Sequence, residues 1–275
     1  MYIFIRNICF FVMKLVKINE SQHKRLFEAY RNGFSLDNLA IIADSAFADE
    51  NNSAAQINYC KKWLGEPDSR GSSRMVFTLS DSLVLKLAYG DNYQAGIEQN
   101  KIEYMVYQQM NTPLLPRIFY HDKKFTFLIC EHVVPAKDID FEQLLGLPFF
   151  ENYKQQSRDI KSMSSKHGGD YEIGFDQYFD NIKPIGEKNI KTNVNLIMYY
   201  IESNYALDEH LFDVNIEQAI ARRPWLEELK ELVKKTKMTD LCKPNNFGMV
   251  NRDGKPMLVI LDSGFNMEVW NKFYR

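Results

Sequence analysis

The spacing of apolar positions changes character along the chain. Residues 19–32 (NESQHKRLFEAYRN) carry polar capping residues in front and Gly33 behind, a helix signature, and 35–47 allow a second short helix. Residues 53–64 (SAAQINYCKKWL) stop at Gly65 and read the same way. A turn-rich break, GEPDSRGSSR over 65–74, closes this helical stretch. Strand-like runs follow. MVFTL (75–79) and LVLKLAY (83–89), joined by Ser80-Asp81-Ser82, predict a hairpin. After the turn-like GDN, Ile97, Ile102, Met105, Val106 and Met110 recur near a 3.6-residue period and predict a helix over 94–110, stopped before Asn111-Thr112-Pro113. A second hairpin is expected from RIFY (117–120) and FTFLICEHV (125–133) around a His-Asp-Lys-Lys turn.

Val134-Pro135-Ala136 reads as a linker. From 138 to 236 the pattern is mainly helical, clearest in FEQLLGL, NVNLIMYYIESNY and PWLEELKELVKK. The last of these has Pro224 in its first turn and Lys234-Lys235 in its last, where each is favourable. A Ser-, Gly- and Lys-rich segment over 160–188 reads as a loop. Near the end, FGMV and PMLVILD flank Asn251-Arg252-Asp253-Gly254, and an Asp-Gly turn between apolar runs signals a hairpin. The expected class is α+β: a small antiparallel sheet with one helix, then a mainly helical part. The divisions fall at 1–70, 71–134 and 135–275.

Composition narrows the function classes. Of 275 residues, 45% are hydrophobic and 25% charged, which is enough to build a core and excludes wholesale disorder. The net charge of -2, from 34 basic and 36 acidic residues, gives no footprint for non-specific nucleic-acid binding, and no nucleic-acid partner is expected. Cys9, Cys60, Cys130 and Cys242 are scattered, without CxxC or zinc-ligand spacing, and read as reduced thiols of a cytoplasmic protein. The apolar run at 2–16 (YIFIRNICFFVMKLV) is broken by Arg6, Asn7 and Lys14, short of the ~20 residues a bilayer span needs. It also lacks a small-residue cleavage site, so no membrane segment is expected. Met13, opening MKLVKINESQ, is the expected native start.

Five polar residues fall at telling places. Lys86 lies inside the apolar strand LVLKLAY, and Glu103 on the following helix. Asp240 starts the loop after a long helix, and Asn246 stands six residues on, just before a strand. Asp262 ends the partner strand, followed by Ser263-Gly264. Singly each has a plain reading. Lys86 could lay its stem along apolar surface, Glu103 could be a solvated helix residue with Glu98 as its rival, and Asp240, Asn246 and Asp262 could form turns. Their joint order on these element types is the informative feature. The five histidines show no HExxH spacing, and the chain contains no GxSxG elbow and no Walker lysine motif.

On VLK at 84–86, Glu103 in GIEQNKIEY, DLCKPNNFG at 240–248 and LDSG at 261–264, the sequence resembles the protein-kinase-like superfamily, which includes phosphotransferases acting on small molecules such as aminoglycosides. The likeness covers roughly 71–265. The phrases GSSR, VLKLA, GIEQN and NFG are also similar to those of small kinase-like proteins of tailed bacteriophages, which would place the protein in the host cytoplasm. The resemblance implies a two-lobed fold, with 71–134 as an amino-terminal lobe and 135–275 as a helical lobe carrying the catalytic loop and metal-binding hairpin. It implies ATP and Mg²⁺ as cofactors and a hydroxyl acceptor, protein or small molecule.

The implied roles follow the charge of the nucleotide. Lys86 would meet the α- and β-phosphates, held by Glu103. Asn246 and Asp262 offer hard oxygen ligands that suit Mg²⁺, with Asn245 an alternative to Asn246. Asp240 would take the acceptor proton, and Lys243 would steady the transferred group. Gly71, Ser72 and Ser73, with Arg74 adding charge, would approach the phosphates, and the Glu131-His132-Val133 backbone would meet adenine. Departures from the family pattern are specific. The loop has one glycine where kinases have three. Thr239 stands where regulated kinases carry arginine, and only 13 residues follow Asp262, with no Ala-Pro-Glu motif. They leave open an alternative reading, a pseudokinase-like nucleotide-binding or virion-associated protein acting through a protein partner.

Overall fold

A computed structural model describes residues 53–147, 194–208, 210, 214–241 and 243–275. The expectations at Met13, 19–32, 35–47, Cys9, 160–188 and Cys242 lie outside the described residues. The fold is α+β and divides into two units. One is drawn from the chain up to Val133 together with Ser263–Arg275, the other is Val134–Asp262. The sequence division instead set its boundary at 134/135 and kept the final residues with the second part.

The first unit is built on a five-stranded antiparallel sheet in the order β1-β2-β3-β5-β4. Its strands are β1 (Ser69–Arg70), β2 (Arg74–Ser80), β3 (Leu83–Ala88), β4 (Ile118–His121) and β5 (Phe127–Glu131). Side chains alternate between the two faces of a strand. On one face Leu83, Leu85 and Leu87 pack with Phe77, Phe127, Ile129 and Cys60, the last from helix α1 (Ser53–Leu64). On the other, Val84 packs with Leu128, Cys130 and Ile118, under Tyr104 and Tyr107 of helix α2 (Tyr93–Met110). Because both faces are covered, β3 is buried along its whole length.

Helix α2 corrects the sequence reading in one respect. Of the expected apolar stripe only Val106 is buried, and Met105 is exposed. The inward face is Ala95, Gly96, Gln99, Asn100 and Glu103. Periodicity of apolar residues missed it because the buried positions are polar and find their partners inside the unit. The final helix of the unit, α7 (Met267–Phe273), had no sequence expectation; Asn266 caps it by accepting from the Val269 amide at 3.0 Å.

The second unit holds a three-stranded antiparallel sheet, β6 (Val134–Pro135), β7 (Phe247–Arg252) and β8 (Lys255–Ile260), in that order. Val134 and Pro135, expected as linker, pair with Met249 and Gly248. Pro135 is tolerated because β6 is an edge strand. The expected Asp-Gly turn is present: Asp253 and Gly254 both have positive φ, 54° and 77°, between paired Arg252 and Lys255. Among the described residues the unit also has four helices, α3 (Asp138–Leu145), α4 (Val194–Tyr205), α5 (Val214–Ala221) and α6 (Pro224–Thr236). In α6, Leu226, Leu229, Leu232 and Val233 form the buried face and Pro224 opens the first turn, as the sequence indicates. Phe141 of α3 meets Phe247 edge-on at 5.6 Å, and the Trp225 indole N–H donates to the Leu258 carbonyl at 3.0 Å. No helix among the described residues is long and apolar enough to cross a membrane.

Candidate functional site

The pleat of β3 puts Val84, Lys86 and Ala88 on the face that α2 covers. Lys86 is 6% exposed there, and an ammonium so placed costs several kcal/mol unless a charge partner is supplied. Glu103 of α2 supplies it. One carboxylate oxygen accepts from Lys86 Nζ, and the other accepts from Arg74 Nη1 at 2.5 Å. Arg74 also donates to Asn100 Oδ1 at 3.2 Å, and Asn100 Nδ2 donates to the Phe125 carbonyl at 2.9 Å. Burial alone would push the Glu103 carboxyl up, but Lys86 and Arg74 overcome it and hold the group below the ordinary range.

Two sequence alternatives are resolved by this cluster. Glu98, the rival partner, lies 4.0 Å from Lys101 and 3.9 Å from Lys272, with no ion pair to Lys86. Arg74, expected to add charge to the phosphate loop, is buried on Glu103. Cys130 lies on the α2 face of the sheet, opposite Val84, and burial raises its thiol to about 12, so it is no nucleophile.

Gly71, Ser72 and Ser73 form the turn between β1 and β2, closed by the Gly71 amide on the Arg74 carbonyl at 2.8 Å. Their carbonyls are all held. Gly71 O accepts from the Tyr89 hydroxyl at 2.6 Å, Ser72 O from Asn92 Nδ2 at 3.3 Å, and Ser73 O from the Tyr89 amide at 2.9 Å. The Ser72 hydroxyl lies 3.0 Å from that of Tyr274. Helix α2 approaches this turn so closely that a Cβ on Gly96 would come within 2.4 Å of Ser73 O. The turn is therefore a fixed part of the sheet edge.

At the end of β5, the Glu131 amide donates to the Arg117 carbonyl and the His132 amide to the Ser82 carbonyl, both at 2.8 Å. These two donors are spent within the unit.

In the second unit, Asp240 has φ +71°, the left-handed region that a short polar side chain tolerates. Its carboxylate meets Lys243 Nζ at 2.6 Å, with both side chains partly open to solvent. The Asn246 side-chain amide donates to the Asp240 carbonyl at 2.8 Å, so Asn246 rather than Asn245 closes this loop. That bond turns Asn246 Oδ1 to the opposite side of its amide. Strand β7 starts at the next residue. The β7–β8 register pairs Phe247 with Ile260, and the Leu261 amide donates to Asn246 O at 2.7 Å. Asn246 and Asp262 therefore stand at one end of the hairpin. One carboxylate and one amide oxygen fit Mg²⁺ that arrives with phosphate oxygens. Among the described residues no three His, Cys, Asp or Glu side chains gather as a metal cage.

Sequence reasoning missed Glu202. From α4 its carboxylate accepts the Leu241 amide at 2.8 Å. Burial raises its pKa to about 7, while the Asp240 and Leu241 amides pull the other way. The available signal was an acidic residue within the apolar run LIMYYIESNY.

No protein-family model matches this sequence, and the search of curated proteins found no similar one.

Proposed function

We propose that the protein is an ATP- and Mg²⁺-dependent phosphotransferase of the protein-kinase-like superfamily, passing the γ-phosphate to a hydroxyl on a protein or small molecule. The observation that carries the reading is the buried ion pair between Lys86 on the third strand and Glu103 on the helix that follows it. A strand lysine held by a helical glutamate is the cation that this chemistry needs at the α- and β-phosphates. Asp240, Asn246 and Asp262 complete the set.

The step balances simply. Asp240 takes the proton of the acceptor hydroxyl, the acceptor oxygen bonds to the γ-phosphorus, the bond from that phosphorus to the β–γ bridging oxygen breaks, and ADP leaves. Lys243, already at the Asp240 carboxylate, supplies positive charge near the transferred group. Asn246 and Asp262 would hold Mg²⁺, which neutralises charge on the phosphate oxygens. Incubation with γ-labelled ATP and Mg²⁺, alone and with cell extract, tests the reading. Label in protein or product that Asp240→Asn abolishes is the expected result. Absence of label from every fraction, or label unaffected by Asp240→Asn, overturns it.

The Gly71–Ser73 turn favours a second reading, a nucleotide-binding protein without transfer, because it has a single glycine and its Gly71 amide, a donor that phosphate would need, is already spent on the Arg74 carbonyl. A Mg–ATP thermal shift without labelled product selects it. A ligand at a hundredfold excess over Kd stabilises by ~2.7 kcal/mol, well within detection.

A further inference from the structure

The peptide plane that joins Asp240 to Leu241 is held from both sides. Its carbonyl accepts from Asn246 Nδ2 at 2.8 Å, and its N–H donates to a Glu202 carboxylate oxygen at 2.8 Å. The two clamps come from different places in the chain, the residue just before β7 and helix α4. Helix α4 is a rigid platform, with Val194, Ile197, Met198, Tyr200 and Ile201 all 2% exposed or less. Leu241 itself is 1% exposed and Met238, two residues before Asp240, is fully buried, so the chain on either side is fixed as well. Asp240 lies at φ +71° within this frame. Even for a short polar side chain this region lies above the ordinary backbone regions in energy, and relaxing φ means rotation about the N–Cα bond of Asp240. That rotation would re-aim the Asp240 carboxylate and carry the Asp240–Leu241 peptide with it. It would also break both clamps at once.

We infer that Glu202 is a positioning residue for phosphoryl transfer: its carboxylate pins the Asp240–Leu241 peptide and so fixes where the Asp240 carboxylate points. The inference rests on the phosphotransferase reading. It gives Asn246 a second task beside metal binding, as the opposite jaw of the same clamp. It also separates two properties of Glu202. Accepting the Leu241 N–H needs an oxygen at the right reach, and it does not need a full negative charge. A raised pKa of about 7 is compatible with the role, since the neutral and charged acids both accept through one oxygen.

The experiment uses the full chain, three substitutions at Glu202 and one control. Glu202→Gln keeps an acceptor oxygen at the same reach. Glu202→Asp keeps the charge one methylene short, and Glu202→Ala removes the acceptor. Asp240→Asn is the control for the reading itself. For ATP-dependent labelling, Asp240→Asn is expected to lower kcat by about a hundredfold or more. Glu202→Ala and Glu202→Asp are expected to lower kcat about tenfold or more with KM for ATP within about twofold, because a misaimed base harms the chemical step while leaving nucleotide binding alone. Glu202→Gln is expected to retain kcat within about threefold. Amide hydrogen exchange over 238–246 should quicken in the Ala and Asp variants and stay at the wild-type rate in Gln. Wild-type kcat in Glu202→Ala, or a Gln variant as slow as Ala, overturns the inference while leaving the reading intact. If Asp240→Asn transfers as fast as wild type, the reading fails and the inference falls with it. Should the Ala variant not fold, the Asp and Gln pair decides alone.

Discussion

Two charged clusters, one in each unit, are built on opposite terms. Lys86, Glu103 and Arg74 are 6%, 1% and 7% exposed, and two cations share one carboxylate inside the sheet–helix layer. The Asp240–Lys243 pair leaves 32% and 52% of its side chains open. The first cluster is a structural commitment: it cannot come apart without stranding buried charge, so its geometry is set before any ligand arrives. The second contributes little to folding, and its exposed ion pair can be exchanged for another partner. The comparison shows that two charged clusters of one chain can carry very different structural loads. Loss of activity therefore has to be read beside stability at each position.

Substitutions sharpen that contrast. The largest expected effect is Glu103→Ala, which leaves Lys86 and Arg74 buried without their shared carboxylate; urea unfolding should show a loss of about 3–5 kcal/mol. Lys86→Met in the same cluster should cost no more than about 1–2 kcal/mol, because Arg74 still satisfies Glu103 and the methionine fills similar volume. If both variants lose equally, the shared-carboxylate account is wrong. Next comes Gly264→Ala, whose added Cβ would stand 2.1 Å from the Gln99 carbonyl; a loss of roughly 1–3 kcal/mol is expected, since backbone must move to make room.

Third is a pH effect at Glu202. Its pKa is about 7 when folded, above the ordinary glutamate value, so the folded state binds more protons between the two. The associated stability is present below the ordinary value and is lost as pH rises through about 7. Relative to wild type, Glu202→Gln should therefore gain stability between pH 5 and pH 8, by about 2 kcal/mol at most given the partial exposure of Glu202. Equal urea midpoints at both pH values would contradict this. The smallest effect is Asp240→Asn, expected to change stability by less than about 1 kcal/mol even where it removes activity.

Much of this was legible in the sequence because the signals were local. The Asp253-Gly254 hairpin, the strand bearing Lys86, and α6 with Pro224 in its first turn and Lys234-Lys235 in its last all follow from turn chemistry, alternation and helix-end residues. What escaped was non-local or polar. The inward face of α2 is Gln99, Asn100 and Glu103, and a search for apolar periodicity selects Met105 instead. Arg74 follows a turn and reads as a loop charge, and only the β2–β3 register, Arg74 opposite Ala88 and Val76 opposite Lys86, puts it on the face where Glu103 waits. Glu202 lies 38 residues before Asp240 and no spacing rule links them. The strand β6 was hidden by its proline, which an edge position accommodates.

The most direct measurement is calorimetric titration of ATP, with Mg²⁺ and with chelator, into wild type, Lys86→Met and Asp262→Asn. Wild type is expected to bind ATP more tightly with Mg²⁺. Asp262→Asn should lose that metal dependence, and Lys86→Met should lose about tenfold or more in affinity while remaining folded. Wild type that binds no nucleotide, or a Lys86→Met variant that binds as tightly as wild type, would contradict the account.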